Sequence, residues 1–343
     1  LRWTISNPSC AASTDDVVVN FRQNPTTSNA GPDQTLCATS TTLAANTAAI
    51  GTGSWSIISG AGGTITTPSS PTSTFIGAAG TTYTLRWTIS NAPCTASTDD
   101  VVITFTATPT TTNAGPDQTL CATSTTLAGN TPSVGVGTWS IISGAGGTIT
   151  SPNSPTSTFS GTAGTSYTLR WTITNAPCTA SSDDVVINFT GNPTTTNAGP
   201  DQDLCGTSTT LAGNTPVVGT GSWSIISGAG GTITTPSSPT STFSGTAGVT
   251  YTLRWTISNA PCTASSDDVI IAFKANPTTS NAGADQTVCG TSVTLAGNTP
   301  TVGTGSWSII SGTGGTITTP SSATSAFSGT RGGMYSLRWT ISN

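Results

Sequence analysis

Eight cysteines are the residues best placed to do chemistry in this chain, and they fall at two phases of one period: 10, 94, 178 and 262, then 37, 121, 205 and 289. None belongs to a Cys-x-x-Cys pair, and the chain has no histidine. Thiolate metal sites are therefore disfavoured, and disulfides formed in an oxidising compartment are the expected chemistry. The acids are all aspartate. Asp99 and Asp100 open one strand-like run and Asp33 stands on a neighbouring one, which makes these three the calcium candidates. The competing reading is a solvated turn in which an aspartate accepts backbone hydrogen bonds. Arg86 recurs as Arg2, Arg170, Arg254 and Arg338 on an outward strand face, as a solubilising charge, as the partner of an aspartate or as a cation lying across Trp of a neighbouring copy. The nine tryptophans could stack on sugars, yet they alternate with Thr and Ser in the manner of core residues. With no glutamate, no histidine and one lysine, Lys274, general bases are nearly missing, and no nucleophile–base pair recurs. The chain reads as no enzyme, with no cofactor beyond calcium.

The elements that must position these groups follow from the period. The run Tyr83-Thr84-Leu85-Arg86-Trp87-Thr88-Ile89-Ser90 returns every 84 residues, with Trp at 3, 87, 171, 255 and 339. Its two-residue alternation is that of a strand with one face in a core and one in water. Equivalent prolines at 25, 109, 193 and 277 set the units. Residues 1–24 are the C-terminal hairpin of a preceding repeat, 25–108, 109–192 and 193–276 are complete repeats, and 277–343 is a partial repeat lacking its last strand. Leu337 to Asn343 repeat Leu1 to Asn7 letter for letter, so the chain reads as a window on a longer array.

Charged residues are 6% of the chain against roughly a quarter in globular proteins, and each complete repeat carries net −2. A basic footprint for nucleic acid or anionic membrane is absent. Two Trp, one Tyr and two Phe at fixed places in each repeat argue against disorder, and no apolar run is long enough to span a membrane. Within 25–108, Pro25-Thr26-Thr27 reads as a solvated joint. The stretch 29–36 opens with turn residues and ends in a brief edge strand, and strands follow at 41–45, 53–57, 64–66, 73–75, 82–90 and 99–105, with a loop at 91–97. Seven short strands with regular turn signals predict an all-β protein of 84-residue immunoglobulin-like β-sandwich repeats, end to end. The predicted core is Trp55, Phe75, Tyr83, Leu85, Trp87, Ile89, Val101, Ile103 and Phe105.

That topology puts Cys37 at the pole where a repeat's C-terminus leaves and Cys94 at the opposite pole. A disulfide needs Cα atoms within about 7 Å, whereas a strand of six to eight residues spans roughly 20–26 Å. Inter-repeat pairs, Cys37–Cys178 and Cys121–Cys262, are slightly preferred, with Cys10, Cys94, Cys205 and Cys289 pairing outside the window. Pairing within repeats, Cys37–Cys94, Cys121–Cys178 and Cys205–Cys262, stays open if the first strand runs differently.

The order Asn29-Ala30-Gly31-Pro32-Asp33-Gln34-Thr35, Thr41 to Leu43, Trp55, Pro71-Thr72-Ser73-Thr74-Phe75, Tyr83 to Ile89 and Asp100-Val101-Val102-Ile103 resembles the PKD domain family. It is similar in particular to tandem PKD-like repeats of giant surface proteins of Bacteroidota, including those of gliding motility and type IX secretion. It departs from the family pattern in having Ile57-Ile58-Ser59-Gly60 after the core Trp. The resemblance implies an extracellular, cell-surface location and a spacer or adhesive stalk. The expected function is thus a structural filament within a very long bacterial adhesin, touching neighbouring repeats and, through a tip elsewhere, glycans or cells. The alternatives are a polysaccharide-binding array acting by avidity and a strand-exchanged, pilus-like polymer of small subunits.

Overall fold

A computed structural model describes residues 1–343, which form 28 strands and no helix. No helix is long and apolar enough to cross a membrane. At the start, β1 (Arg2–Ile5) and β2 (Ser13–Asp16) make a lone antiparallel hairpin.

Residues 25–108 set the pattern of the later repeats. Their strands are β3 (Gln34–Leu36), β4 (Ser40–Thr42), β5 (Thr52–Ser59), β6 (Thr64–Ile65), β7 (Thr74–Ile76), β8 (Thr81–Asn91) and β9 (Cys94–Phe105). One sheet runs β3-β9-β8-β5 and the other β4-β7-β6. All neighbours are antiparallel except β3 and β9, which pair in parallel with Leu36 opposite Phe105. Two sheets with crossing connections are the immunoglobulin-like sandwich. The same two sheets recur over 109–192 and 193–276.

Strand alternation decides the core. Tyr83, Leu85, Trp87 and Ile89 of β8 and Val101, Ile103 and Phe105 of β9 face inward and are all at most 1% exposed, with Trp55 and Phe75 closing the opposite sides. Trp55 and Trp87 lie 5.1 Å apart, and Phe75 meets Tyr83 edge to face at 4.9 Å. Close aromatic packing needs bare backbone beside it. A Cβ on Gly53 would collide with the Trp87 ring, and Gly60 combines a φ of +99° with the same conflict at Tyr83. The Tyr83 hydroxyl donates to Ala61 O at 3.1 Å and accepts from Ala78 N at 2.9 Å, so it closes two loops while its ring stays buried.

Two sequence expectations do not hold. The stretch 91–97 is no loop: β8 and β9 form one hairpin with Asn91 opposite Cys94 and Ile89 opposite Ser97, the register shifting between those two pairs, joined by Ala92 and a cis Pro93. The ladder continues because outward Thr, Ser and Asp side chains keep β9 in water while its backbone still pairs. The second strand stops at Thr42. Beyond it Leu43 N and Ala45 N donate instead to Ser73 O and Pro71 O of the facing turn.

The chain divides into two compact units, Leu1–Thr119 with Thr123–Phe189, and Leu120–Ala122 with Thr190–Asn343. In the second unit, residues 277–343 hold a three-stranded sheet, but Thr304–Ser311 pairs only with Ser336–Ser342. No strand forms at 286–288, the counterpart of β3.

Candidate functional site: the joint between repeats

The groups singled out by sequence converge on the short connections between repeats. The parallel pairing of β3 with β9 carries Leu36 to the end of the sandwich, where its carbonyl accepts from Thr106 N at 2.7 Å. Cys37 comes next and so stands beside the departing chain. From the following repeat, the hairpin between Thr165–Asn175 and Cys178–Phe189 folds back onto the same connection. Asn175 Nδ2 donates to Ala107 O at 2.7 Å, and Cys178 Sγ lies 3.4 Å from that oxygen. Cys37 and Cys178 are thereby brought to a Cα separation of 4.9 Å and are bonded.

The second unit repeats the arrangement. Thr190 N donates to Leu120 O at 2.7 Å and Asn259 Nδ2 to Gly191 O at 2.8 Å, and Cys121 is bonded to Cys262 with Cα atoms 4.9 Å apart. The within-repeat pairs Cys37–Cys94, Cys121–Cys178 and Cys205–Cys262 are not formed. The two cysteines of one repeat sit at opposite ends of β9, the geometry that forbids a bond. Cys10, Cys94, Cys205 and Cys289 are free.

The joint is not merely solvated, as its composition suggests. Thr26 N donates to Ile50 O at 3.0 Å, its hydroxyl accepts from Ala49 N and Ile50 N, and Thr27 O accepts from Asn46 Nδ2. Each linker is held by the repeat it enters and, through the asparagine, by that repeat's own hairpin. Sequence reading overlooked this asparagine, although Asn91, Asn175, Asn259 and Asn343 recur at the period.

The aspartates do not assemble. Asp33 Oδ1 accepts from Val102 N at 2.8 Å and Asp99 Oδ2 from Ala30 N at 2.7 Å, which fasten the segment before β3 to β9. Asp100, on the other face of β9, takes Arg86 in a two-point pair at 2.7 and 2.8 Å. That hydrogen-bonded pair holds the Asp100 carboxyl below its ordinary 3.8 and raises the Arg86 guanidinium. No group of three or more His, Cys, Asp or Glu is placed to hold a metal ion. The calcium candidates Asp33, Asp99 and Asp100 are thus turned to three separate partners, and Arg86 is paired rather than a plain surface charge. The tryptophans of the four repeats are at most 4% exposed and offer no stacking face, while Trp3 of the lone hairpin is 72% exposed.

No protein-family profile and no curated protein matches the chain. Among solved structures it is similar to protocadherin gamma B2 extracellular cadherin domains 3–6 (10% identity, 90% of this chain and 93% of that one, TM-score 0.31). It is also similar to Sidekick-1 immunoglobulin domains 1–5 (11%, 82% and 68%, 0.35) and to the insect immune protein hemolin (12%, 92% and 98%, 0.27). The sandwich assignment rests on the strand order and register of the chain itself.

Proposed function

We propose that the chain is a load-bearing section of an extracellular stalk, built from PKD-like repeats within a bacterial surface adhesin. The observation that supports it is the joint: the connections that follow the first and second complete repeats are each bridged in parallel by a disulfide and by an asparagine clamp. A soft linker concentrates extension under tension, whereas a bridged one passes force from sandwich to sandwich. The hydroxyl-rich, lysine-poor surface fits exposure to proteases outside the cell. The buried tryptophans weigh against the polysaccharide-binding alternative.

The reading is tested on intact producing cells with antibodies raised against the 343-residue chain, followed by gold labelling and electron microscopy. Labelling away from the envelope is expected. Labelling that appears only after permeabilisation would sink the proposal.

A further inference from the structure

In the first repeat two segments that lie side by side keep one register well beyond their strand ladder. β3 pairs in parallel with β9, Gln34 opposite Ile103 and Leu36 opposite Phe105. The same offset of 69 positions continues upstream through side chains. Ser28 N donates to Ser97 Oγ at 2.9 Å, Ala30 N to Asp99 Oδ2 at 2.7 Å and Val102 N to Asp33 Oδ1 at 2.8 Å. Residues 28–36 are thus tied at regular steps to 97–105. The aspartate ties recur at Asp117 and Asp183 in the second repeat and at Asp201 and Asp267 in the third, where Gln202–Cys205 again lies parallel to Cys262–Lys274.

Chain connectivity and the two disulfides continue these paired segments from repeat to repeat. Residues 25–37 end at Cys37, whose bond leads to Cys178, the first residue of the strand Cys178–Phe189. That strand passes through the main chain into 193–205, the equivalent opening segment of the third repeat. The partner segment does the reverse. Residues 94–105 leave through the main chain into 109–121, and Cys121 leads by its bond to Cys262 and the strand Cys262–Lys274. Two covalent lines therefore cross all three complete repeats, one through 25–37 and 178–205, the other through 94–121 and 262–274. Neither enters β4 to β8 or their counterparts.

We propose that these two lines are the tension members of the array and that the disulfides act as limiters of its extension. Under load the lines draw taut, and the stretch from β4 to β8 hangs from them as a closed loop without tension. The lines have little slack to give. The 12 residues of Cys178–Phe189 already advance as a strand by about 3.3 Å each, against a limit of about 3.6 Å. A bond closed within one repeat would leave the linker as the only covalent carrier at each joint, whereas a bond crossed to the next repeat supplies a second. The ties at Ser28, Ala30 and Asp33 keep the lines in step, because parallel segments pulled along their axis load every tie together rather than one at a time. The source of the load is the stalk role proposed above, on which this inference rests.

The test is single-molecule force spectroscopy on the 343-residue chain, with handles attached through azido residues in place of Gln23 and Thr195, both exposed. Between the handles the first line offers about 30 residues, roughly 110 Å, and the unbridged chain about 170 residues, roughly 600 Å, at about 3.6 Å per residue. At forces that open both repeats in reductant, the oxidised chain should stop at the shorter length. Cys178→Ser should restore the longer one without reductant. A protease cut in the turn 144–147, inside the untensioned loop, should leave the oxidised tether holding at the same length and sever the reduced one. Asp33→Ala should lower the force that opens the first repeat in reductant, where load has to cross the ties, and leave the oxidised length unmoved.

An oxidised chain that lengthens as far as the reduced one would overturn the proposal. So would a cut oxidised tether that parts, or an oxidised chain whose length changes with Asp33→Ala, because the load would then run through the sandwich and not along the lines. All of these readouts are taken on isolated chains. They stand apart from the cell-labelling test, whose failure would remove the stalk as the source of load and leave the measured lengths as they are.

Discussion

One residue separates the first repeat from the others in a way that stability measurements can read. In the second repeat Trp139 Nε1 donates to Pro155 O at 3.2 Å and Trp171 Nε1 to Asn130 O at 3.1 Å, and the third and fourth repeats keep both bonds. In the first, Trp55 Nε1 and Trp87 Nε1 are buried without a partner. Two residues of this turn set the first repeat apart, Ala48 where the others have Pro132, Pro216 and Pro300, and Ala45, which lies against the indoles, where they have Gly129, Gly213 and Gly297. A Cβ on Gly129 would stand 3.0 Å from the Trp139 ring, 3.2 Å from Pro155 O and 3.2 Å from the Trp171 ring. A methyl group there wedges between both indoles and their acceptors. Each recovered buried hydrogen bond stabilises by about 1 kcal/mol, and glycine costs roughly 0.5–1 kcal/mol in backbone freedom. Ala45→Gly should therefore stabilise the first repeat by about 1 kcal/mol, and Gly129→Ala should weaken the second by a similar amount. Hydrogen exchange of the amides of β8 and of its second-repeat counterpart Thr165–Asn175 reads this repeat by repeat, with protection rising or falling about fivefold per kcal/mol. If Ala45→Gly leaves β8 unchanged or less protected while Gly129→Ala has no effect, the methyl is not what breaks the indole bonds.

Other consequences concern the joint and the surface. Cys178→Ser removes a bridge closing 141 residues and should lower the stability of the second repeat by about 4–5 kcal/mol on loop entropy, read by hydrogen exchange against the unaltered third repeat. Asn175→Ala should cost about 1 kcal/mol and speed amide exchange in residues 106–110 while the disulfide remains intact. Because the Cys37–Cys178 and Cys121–Cys262 spans overlap, a site-specific protease cut in the turn 144–147 should leave one band on a non-reducing denaturing gel and two after reduction. Two bands without reductant would refute the pairing. The depressed carboxyls of Asp100, Asp184 and Asp268 contribute stability that is present above the ordinary aspartate range, about pH 4, and is lost as pH falls through their lower folded values. Denaturation midpoints followed from pH 7 to pH 2 should drop only at the acid end, and Asp100→Asn should flatten that drop for the first repeat.

The sequence by itself determined the repeat length, the sandwich class and the inward residues of β8 and β9, because the alternation of a half-buried strand is written locally in side-chain polarity. It also placed the cysteines at two phases, but pairing is a question of which pole each phase occupies, and that depends on the direction of β3. Only the tertiary structure decided that β3 runs parallel to β9, which carries Cys37 to the exit pole and within reach of Cys178. The hairpin at 91–97 was hidden because its outward residues are polar on both sides and mimic a loop. The particular partners of Asp33, Asp99, Asp100 and Asn175 were hidden for a related reason, although acceptance of backbone hydrogen bonds and pairing with arginine were open readings for the aspartates: each bonds a backbone group about 70 residues away or a side chain across the sheet. Such contacts leave no local pattern, only their recurrence at the period, which marks a residue without naming what it touches.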